Sequence, residues 1–186
     1  SSATFTARNT DTSDTSSPTI TFNPLNSATG VTKDANITLT FNEAIRNNDD
    51  TEITDANVDS LITLKRTNSS GNDIAFDATI DSAKRVITIN PGSDFSSEEV
   101  IYVAIETSVE DAYDNAISAS SATFTSVDSV SPTLTFDPQD LENPVPVTDN
   151  ITITFSEPIR NADDSALTST NVDNLITLKD TDENGS

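Results

Sequence analysis

The sequence contains no cysteine, histidine, methionine or tryptophan. Without cysteine, neither a disulfide nor a thiolate zinc site can form, and without histidine the commonest general acid–base group is missing. Serine–histidine hydrolysis is therefore excluded. A Ser–Lys pair stays open, although no S-x-x-K motif is present. Carboxylate pairs, which some glycosidases use, arise by chance in a chain this acidic. We expect no enzymatic activity.

Basic residues are also scarce, 9 against 31 acidic ones, which gives a formal net charge of −22. Nucleic acids and anionic lipid surfaces would be repelled, so neither is an expected partner. No apolar run is long enough to span a bilayer, and no basic-then-apolar leader follows Ser1. Calcium prefers oxygen ligands and is the cation to consider. The alternative is that these acids form only a solvated, solubilising surface.

One segment of the sequence occurs twice. ITLTFNEAIRNNDD at 37–50 returns as ITITFSEPIRNADD at 151–164, 114 residues later. Each copy begins as an alternating strand and continues into an acidic loop. This period is too long for a solenoid repeat and is typical of one β-sandwich domain. The pattern predicts a tandem repeat of about 114 residues.

Between residues 18 and 127 short alternating segments are separated by turn residues. The alternation predicts strands with one buried face, and the region 54–62 predicts one short helix capped by Thr54. Seven strands with hardly any helix indicate an all-β, Ig-like antiparallel β-sandwich. The predicted strands are Thr19–Phe22, Asn36–Phe41, Leu61–Arg66, Asp73–Ile80, Val86–Asn90, Val100–Glu106 and Ala122–Ser126.

The repeat also divides the chain. Residues 1–6, SSATFT, recur at 120–125 and are predicted to be the last strand of a preceding repeat. Further divisions follow from the same alignment: a linker at 7–17, a complete domain at 18–127, a linker at 128–131, and the N-terminal half of a second domain at 132–186. This half lacks four strands, so we expect it to be marginal or unfolded alone, within a segment of a longer polypeptide.

Three motifs give the chain a family resemblance. SPTLTFDP at 131–138, ITITFSEPI at 151–159 and VEDAYDNAIS at 109–118 resemble bacterial Ig-like domains of the S-layer-protein type. Those domains usually have glycine in the late turn where Asp114 stands here. The resemblance therefore predicts that Asn115 takes the positive φ angle of that turn and that the turn gains a carboxylate.

The resemblance implies a structural spacer in the stalk of a large, secreted or surface-attached bacterial protein, such as an adhesin. Its partners would then be neighbouring repeats of the same polypeptide, and its location the extracellular surface. Two alternatives remain open: a module that grips a ligand such as a glycan through calcium, and an accessory domain of a secreted enzyme. The sequence does not identify an external ligand.

Strand order predicts where the acids meet, because successive loops of an antiparallel sandwich alternate between its two ends. We expect the loop 43–60 and the turn 107–120 to share one end. Calcium ligands at a joint between repeats would come from the acidic-loop end of the second domain and the opposite end of the first. The candidate ligands are Glu43, Asp49, Asp50, Asp111 and Asp114 at the first end, Asp94, Glu98, Glu99 and Asp128 at the other, and Glu157, Asp163 and Asp164 in the second copy.

Arg46 and its counterpart Arg160 lie beside these acids. A clamp for a carboxylate ligand is one interpretation. The other, which we favour, is a local ion pair of Arg46 with Glu43 or Asp49 that orders the acidic loop.

Overall fold

The alternating segments form strands in two separate parts of the chain. The computed structural model describes residues 14–139, 146 and 148–179, and the chain divides into unit 1, Ser1–Ser129, and unit 2, Val130–Ser186. The strand predicted at residues 1–6 and most of the linker predicted at 7–17 lie outside the described residues. Within the described residues, no helix has the length and apolar character needed to cross a membrane.

Two four-stranded sheets make up most of unit 1. One has the order β1-β3-β7-β6 and the other the order β2-β10-β8-β5. Their strands are β1 Ile20–Asn23, β2 Ala28–Val31, β3 Ile37–Phe41, β5 Ile62–Arg66, β6 Phe76–Ile80, β7 Val86–Pro91, β8 Val100–Ile105 and β10 Ser120–Ser126. A further pair, β4 Arg46–Asn47 and β9 Val109–Glu110, forms a two-stranded sheet.

The core of unit 1 lies between the two large sheets. Ile37 and Leu39 of β3 face Val103 of β8 and Phe124 of β10 in one cluster of buried residues, and Phe76 packs against its edge. The ring of Phe124 meets that of Phe95 edge to face, with 5.7 Å between centroids. This arrangement confirms the all-β sandwich, because the alternation that predicted each strand also selects its buried face.

All seven predicted strands are present, but the predicted count is too low. The structure adds β2, β4 and β9, of which β4 and β9 have only two residues each and so carry no alternation. One pair of strands departs from the predicted antiparallel arrangement. Strand β2 runs parallel to β10, with Ala28 opposite Phe124. Residues 24–27 connect β1 of one sheet to β2 of the other.

The predicted short helix is a single 3-10 turn, Val58–Leu61, with Val58 buried against the core. Its capping residue was predicted wrongly. Asn57 precedes the turn, and its side-chain oxygen accepts a hydrogen bond from the backbone nitrogen of Thr54 at 2.8 Å. Thr54 contributes its backbone carbonyl, which accepts from Asn57 and Val58. Asparagine and threonine side chains can both form hydrogen bonds to the nearby backbone, so the sequence alone does not decide which of the two residues precedes the turn.

Unit 2 repeats the first elements of unit 1. Strands β11 Leu134–Asp137 and β12 Thr152–Phe155 pair antiparallel, with Leu134 opposite Phe155. In unit 1 Ile20 lies opposite Phe41, which is the same register 114 residues earlier. A second 3-10 turn, Val172–Leu175, lies at the position of the first. Among the described residues of unit 2 no further strand covers this pair.

The chain enters and leaves unit 1 at opposite ends of the sandwich. At the first end, which we call the entry end, the backbone nitrogen of Thr19 donates to the side chain of Asn42, and the Asn115 side chain donates to the carbonyl of Asp14. At the second, the exit end, the nitrogen of Val127 donates to the carbonyl of Val31. A chain that enters at one end and leaves at the other can extend a head-to-tail array.

Candidate functional site

The entry end carries the acidic loop and the late turn together. Strands β4 and β9 bring them side by side, with Arg46 opposite Glu110 and Asn47 opposite Val109. The Asn48 side chain also donates to the carbonyl of Thr107 at 2.7 Å. This confirms that the two segments share one end of the sandwich. Two groups of carboxylates result, one around Arg46 and one beside it.

The first group surrounds the guanidinium of Arg46. Its Nη2 lies 2.6 Å from Asp114, 2.7 Å from Asp50 and 3.2 Å from Glu110. Its Nε donates to the same Glu110 oxygen at 3.2 Å. The predicted partners, Glu43 and Asp49, were therefore wrong, since the fold supplies acids from β9 and the turn after it. The guanidinium thus brings one positive charge to these three carboxylates.

Glu110 is a member of this group that sequence reasoning missed. It is 6% exposed, and burial raises its pKa while the charge of Arg46 offsets part of that rise. A buried carboxylate is stable only when it is paired, and Arg46 provides the pair. The available signal was its place between apolar Val109 and the turn that follows. An acid that follows an apolar residue at the end of a strand is a candidate partner for a nearby arginine.

The second group consists of Asp14, Glu43 and Asp111, whose carboxylate oxygens all lie within 4.8 Å of one another. Asp111 is 1% exposed and accepts hydrogen bonds from the backbone nitrogens of Tyr113 at 2.7 Å and Asn115 at 2.9 Å. The Asn115 side chain donates to its other oxygen at 2.8 Å. Asp14, which the sequence analysis did not single out, comes from the entering segment.

The pKa shifts of Asp111 and Glu43 in the second group have opposite directions. Burial alone would raise the pKa of Asp111, but the hydrogen bonds from Asn115 and Tyr113 outweigh it and hold the pKa below its ordinary value. For Glu43, burial raises the pKa, and the charges of Asp111 and Asp14 raise it further. Glu43 is thus the carboxylate of this group that would gain most from a nearby cation.

The late turn differs from its predicted conformation. Asp114 itself has φ of 67°, and Asn115 is used instead to hold Asp111. The prediction that the turn gains a carboxylate is confirmed, since the side chain of Asp114 pairs with Arg46. Aspartate tolerates this left-handed conformation better than most side chains, so glycine is not required here.

Asp49 lies in the same loop but belongs to neither group. Its carboxylate accepts from the hydroxyl and the backbone nitrogen of Thr51, at 2.5 and 3.1 Å, and these bonds lower its pKa. It therefore shapes the turn that presents Asp50.

The acids predicted for the exit end are spread out. Glu99 pairs with Arg66 and accepts from the nitrogen of Ser96 at 2.7 Å. Asp128 accepts from the hydroxyl of Ser97 at 2.8 Å. Asp94 and Glu98 are exposed, and Glu98 has φ of 52°. The hydrogen bond from Ser97 to Asp128 fastens the exiting segment to the loop between β7 and β8.

The acids of unit 2 repeat the local geometry of unit 1. Asp163 accepts from Ser165, which lowers its pKa, and Asp164 lies 3.1 Å from the Nε of Arg160. Glu157 is half-buried. The calcium ligation predicted for these residues, and for those at the two ends of unit 1, stays a prediction.

A pH prediction follows from the raised pKa of Glu43. The folded protein holds the proton of Glu43 more tightly than the unfolded chain does. The stabilising effect of that protonated side chain is therefore lost as pH rises above the ordinary pKa of glutamate and through the raised pKa of Glu43. Glu43→Gln is therefore expected to raise the melting temperature at pH 7 and to change it little at about pH 3, where the wild-type side chain is already protonated. Thermal melts at both pH values measure this.

Asp49→Asn is the matched control, and its expected effect on the melting temperature at pH 7 has the opposite sign. The lowered pKa of Asp49 means that its stabilising effect is present above its ordinary pKa and is lost as pH falls. Asp49→Asn should therefore lower the melting temperature at pH 7. A Glu43→Gln variant that melts lower than the wild type at pH 7 would contradict the raised pKa.

The comparison with family models agrees with this architecture. A family model described as "Bacterial Ig-like domain" matches residues 14–126. Among solved structures, CopC from Methylosinus trichosporium OB3b is similar, with 12% identity and a TM-score of 0.41 over 61% of this chain and 97% of that one. So is the LD transpeptidase LdtMt1 solved in complex with imipenem, with 15% identity and a TM-score of 0.36 over 64% of this chain and 42% of that one. No curated protein matches. From the family match, which covers the whole sandwich of unit 1, the chain belongs to the bacterial Ig-like domain family.

Proposed function

We propose that the chain is a structural spacer in the stalk of a large extracellular bacterial surface protein of the adhesin type. Members of this family are typically parts of bacterial surface proteins. The observation that carries the proposal is the placement of the entering segment, at Thr19, and the exiting segment, at Val127, on opposite ends of one sandwich. Copies joined in this way add length, and their partners are the neighbouring repeats.

The contacts of the connecting segments support the same function. On the exit side, the nitrogen of Ser129 donates to Ser97 at 2.8 Å, and Lys33 donates to the hydroxyl of Ser129 at 3.3 Å. On the entry side, Asn115 holds the carbonyl of Asp14 at 3.1 Å. Segments fastened to the sandwich on both sides restrict the angle between consecutive domains. We further propose that the chain has no catalytic role, since it lacks histidine and cysteine.

The length of concatenated repeats tests the spacer proposal. Proteins with two, four and eight consecutive copies of residues 18–131 are expected to show a maximum dimension that grows by a constant increment per copy in small-angle X-ray scattering. A compact assembly would instead grow roughly as the cube root of the number of copies, because its volume is proportional to mass. Cube-root growth would overturn the proposal.

Calcium is a second part of the proposal, at the site formed by Asp14, Glu43 and Asp111. A cation there would offset the mutual repulsion of the three carboxylates, whose oxygens lie within 4.8 Å of one another. Calcium takes about six to eight oxygen ligands, so carbonyl oxygens or waters would complete the set. Because Asp14 lies in the entering segment, such an ion would fasten that segment to the domain and stiffen the joint.

Thermal melts in EDTA and in millimolar calcium test this site. A ligand present at about 100 times its Kd adds about 2.7 kcal/mol to the free energy of unfolding, so a clear rise in the melting temperature is expected. Glu43→Gln should abolish the rise, whereas Asp94→Asn, an exposed acid at the exit end, should retain it. An equal rise in both variants would indicate charge screening and would contradict the site.

A further inference from the structure

The surface that calls for an explanation is an apolar cavity on unit 2. It has a volume of about 620 Å³ and is lined by side chains of β11, β12 and the second 3-10 turn. The large apolar side chains around it are exposed to an extent that a folded core does not show: Phe136 by 48%, Ile151 by 59% and Leu175 by 60%. An apolar surface of this size, bordered by polar loops, marks an interaction site.

Unit 1 shows what covers the same positions. Ile37, Leu39 and Phe41 correspond to Ile151, Ile153 and Phe155 after the shift of 114 residues, and all three are at most 2% exposed. They are buried by residues of β7, β8 and β10, which come from the second half of the domain. The lining of the cavity is therefore half of a sandwich core.

A strand edge is available at the same place. In unit 1 the second edge of β3 pairs with β7, so that Ile37 lies opposite Ile89 and Leu39 opposite Ile87. In unit 2, β12 pairs with β11 on one side, and no other described strand pairs with its second edge. Backbone groups along that edge can accept an incoming strand while alternate side chains of that strand fill the cavity.

Charge complementarity points to the same partner. The side chain of Arg46 is 25% exposed because Glu110 and Asp114, from the second half of unit 1, lie against it. Its counterpart Arg160 is 71% exposed, and its described ion-pair partner is the local Asp164. Two carboxylates placed as Glu110 and Asp114 are in unit 1 would complete the pairing of Arg160.

We propose that the apolar face of unit 2 is a docking surface for a polypeptide segment with the strand pattern of residues 73–127. The strand equivalent to β7 adds to the second edge of β12, and the strands equivalent to β8 and β10 cover the cavity. The strand equivalent to β9 and the turn after it bring one acid each to Arg160. The proposal concerns unit 2 alone and is independent of the spacer function.

Amide hydrogen exchange of the full chain tests this docking. A separately produced polypeptide of residues 73–127 is added in excess, and exchange is followed by mass spectrometry. Exchange at 134–137 and 152–155 is expected to slow by more than about tenfold, because both strands become part of a closed core. The matched control is the same polypeptide with Ile87→Asp and Ile89→Asp, which should give no protection.

A second arm avoids dependence on the solubility of that polypeptide. The full chain is extended after Ser186 by a second copy of residues 73–127, which continues the shift of 114 residues without a gap. A second cooperative unfolding transition is expected, and it should be absent when the appended copy carries the Ile87→Asp and Ile89→Asp substitutions. Arg160→Met in the extended chain should lower the midpoint of that second transition.

Two results would overturn the proposal. One is unchanged exchange at 152–155 in the first arm together with no second unfolding transition in the second arm. The other is a dimer of the unextended chain in sedimentation velocity that Ile153→Asp dissociates, which would show that a second copy of the chain occupies the face instead.

Discussion

Replacing Arg46 with methionine is expected to lower the free energy of unfolding of unit 1 by about 2–4 kcal/mol, since the charge of buried Glu110 is then left without its partner. Methionine keeps most of the apolar stem, so the change isolates the lost charge and hydrogen bonds. Asp50 and Asp114, which lie 2.7 and 2.6 Å from Arg46, would also repel each other. Urea denaturation followed by tyrosine fluorescence measures the change, because both tyrosines, Tyr102 and Tyr113, lie in unit 1.

The repeat provides the control. Arg160→Met makes the same substitution at the corresponding position of unit 2, where the side chain is 71% exposed and pairs with Asp164 four residues on. An exposed pair of this kind contributes about 0.3–0.5 kcal/mol, and none of it to unit 1. Adding Glu110→Gln to Arg46→Met should recover part of the loss, since the buried charge is then removed. A loss below about 0.5 kcal/mol for Arg46→Met would contradict the structural role of Arg46.

Phe124→Ala is expected to lower the free energy of unfolding of unit 1 by about 3–5 kcal/mol. The ring is 1% exposed and lies between the two sheets, with Phe95 at 5.7 Å. Strands on both sides restrain the backbone, so the site cannot collapse and most of the cavity would remain. The same urea denaturation measures the loss, and the slope of free energy against urea concentration should not change.

Phe136→Ala in unit 2 is the matched control for this substitution. Phe136 is 48% exposed, so removing its ring should leave the unfolding transition of unit 1 where it is. If Phe124→Ala cost less than about 1 kcal/mol, the interior would not be the closed, densely packed core that we describe.

The failures of sequence-based prediction have a common physical origin. Strand β4 has two residues and no alternation, so only its pairing with β9 defines it. The buried position of Glu110 likewise depends on its pairing with Arg46, which is 64 residues away in sequence. The pattern of residues along a strand or turn indicates only the conformation that this short segment prefers. The pairing of β4 and the burial of Glu110 are instead set by contacts between segments far apart in the sequence.

The candidate site shows the same division. Sequence reasoning placed Glu43 and Asp111 at one end of the sandwich because loops of an antiparallel sandwich alternate between ends. It could not divide the acids into a group paired with Arg46 and a group beside it. Nor could it include Asp14, which lies in a polar segment without periodicity and reaches the site through Asn115.

The sequence by itself determined the seven predicted strands, the buried face of each of these and the 114-residue period, because all three depend on the alternation and recurrence of apolar residues along the chain. The tertiary structure decided which carboxylates meet, where Arg46 lies among them, and which apolar positions of the second copy stay exposed. These depend on distances between segments far apart in sequence, which the folded backbone alone fixes.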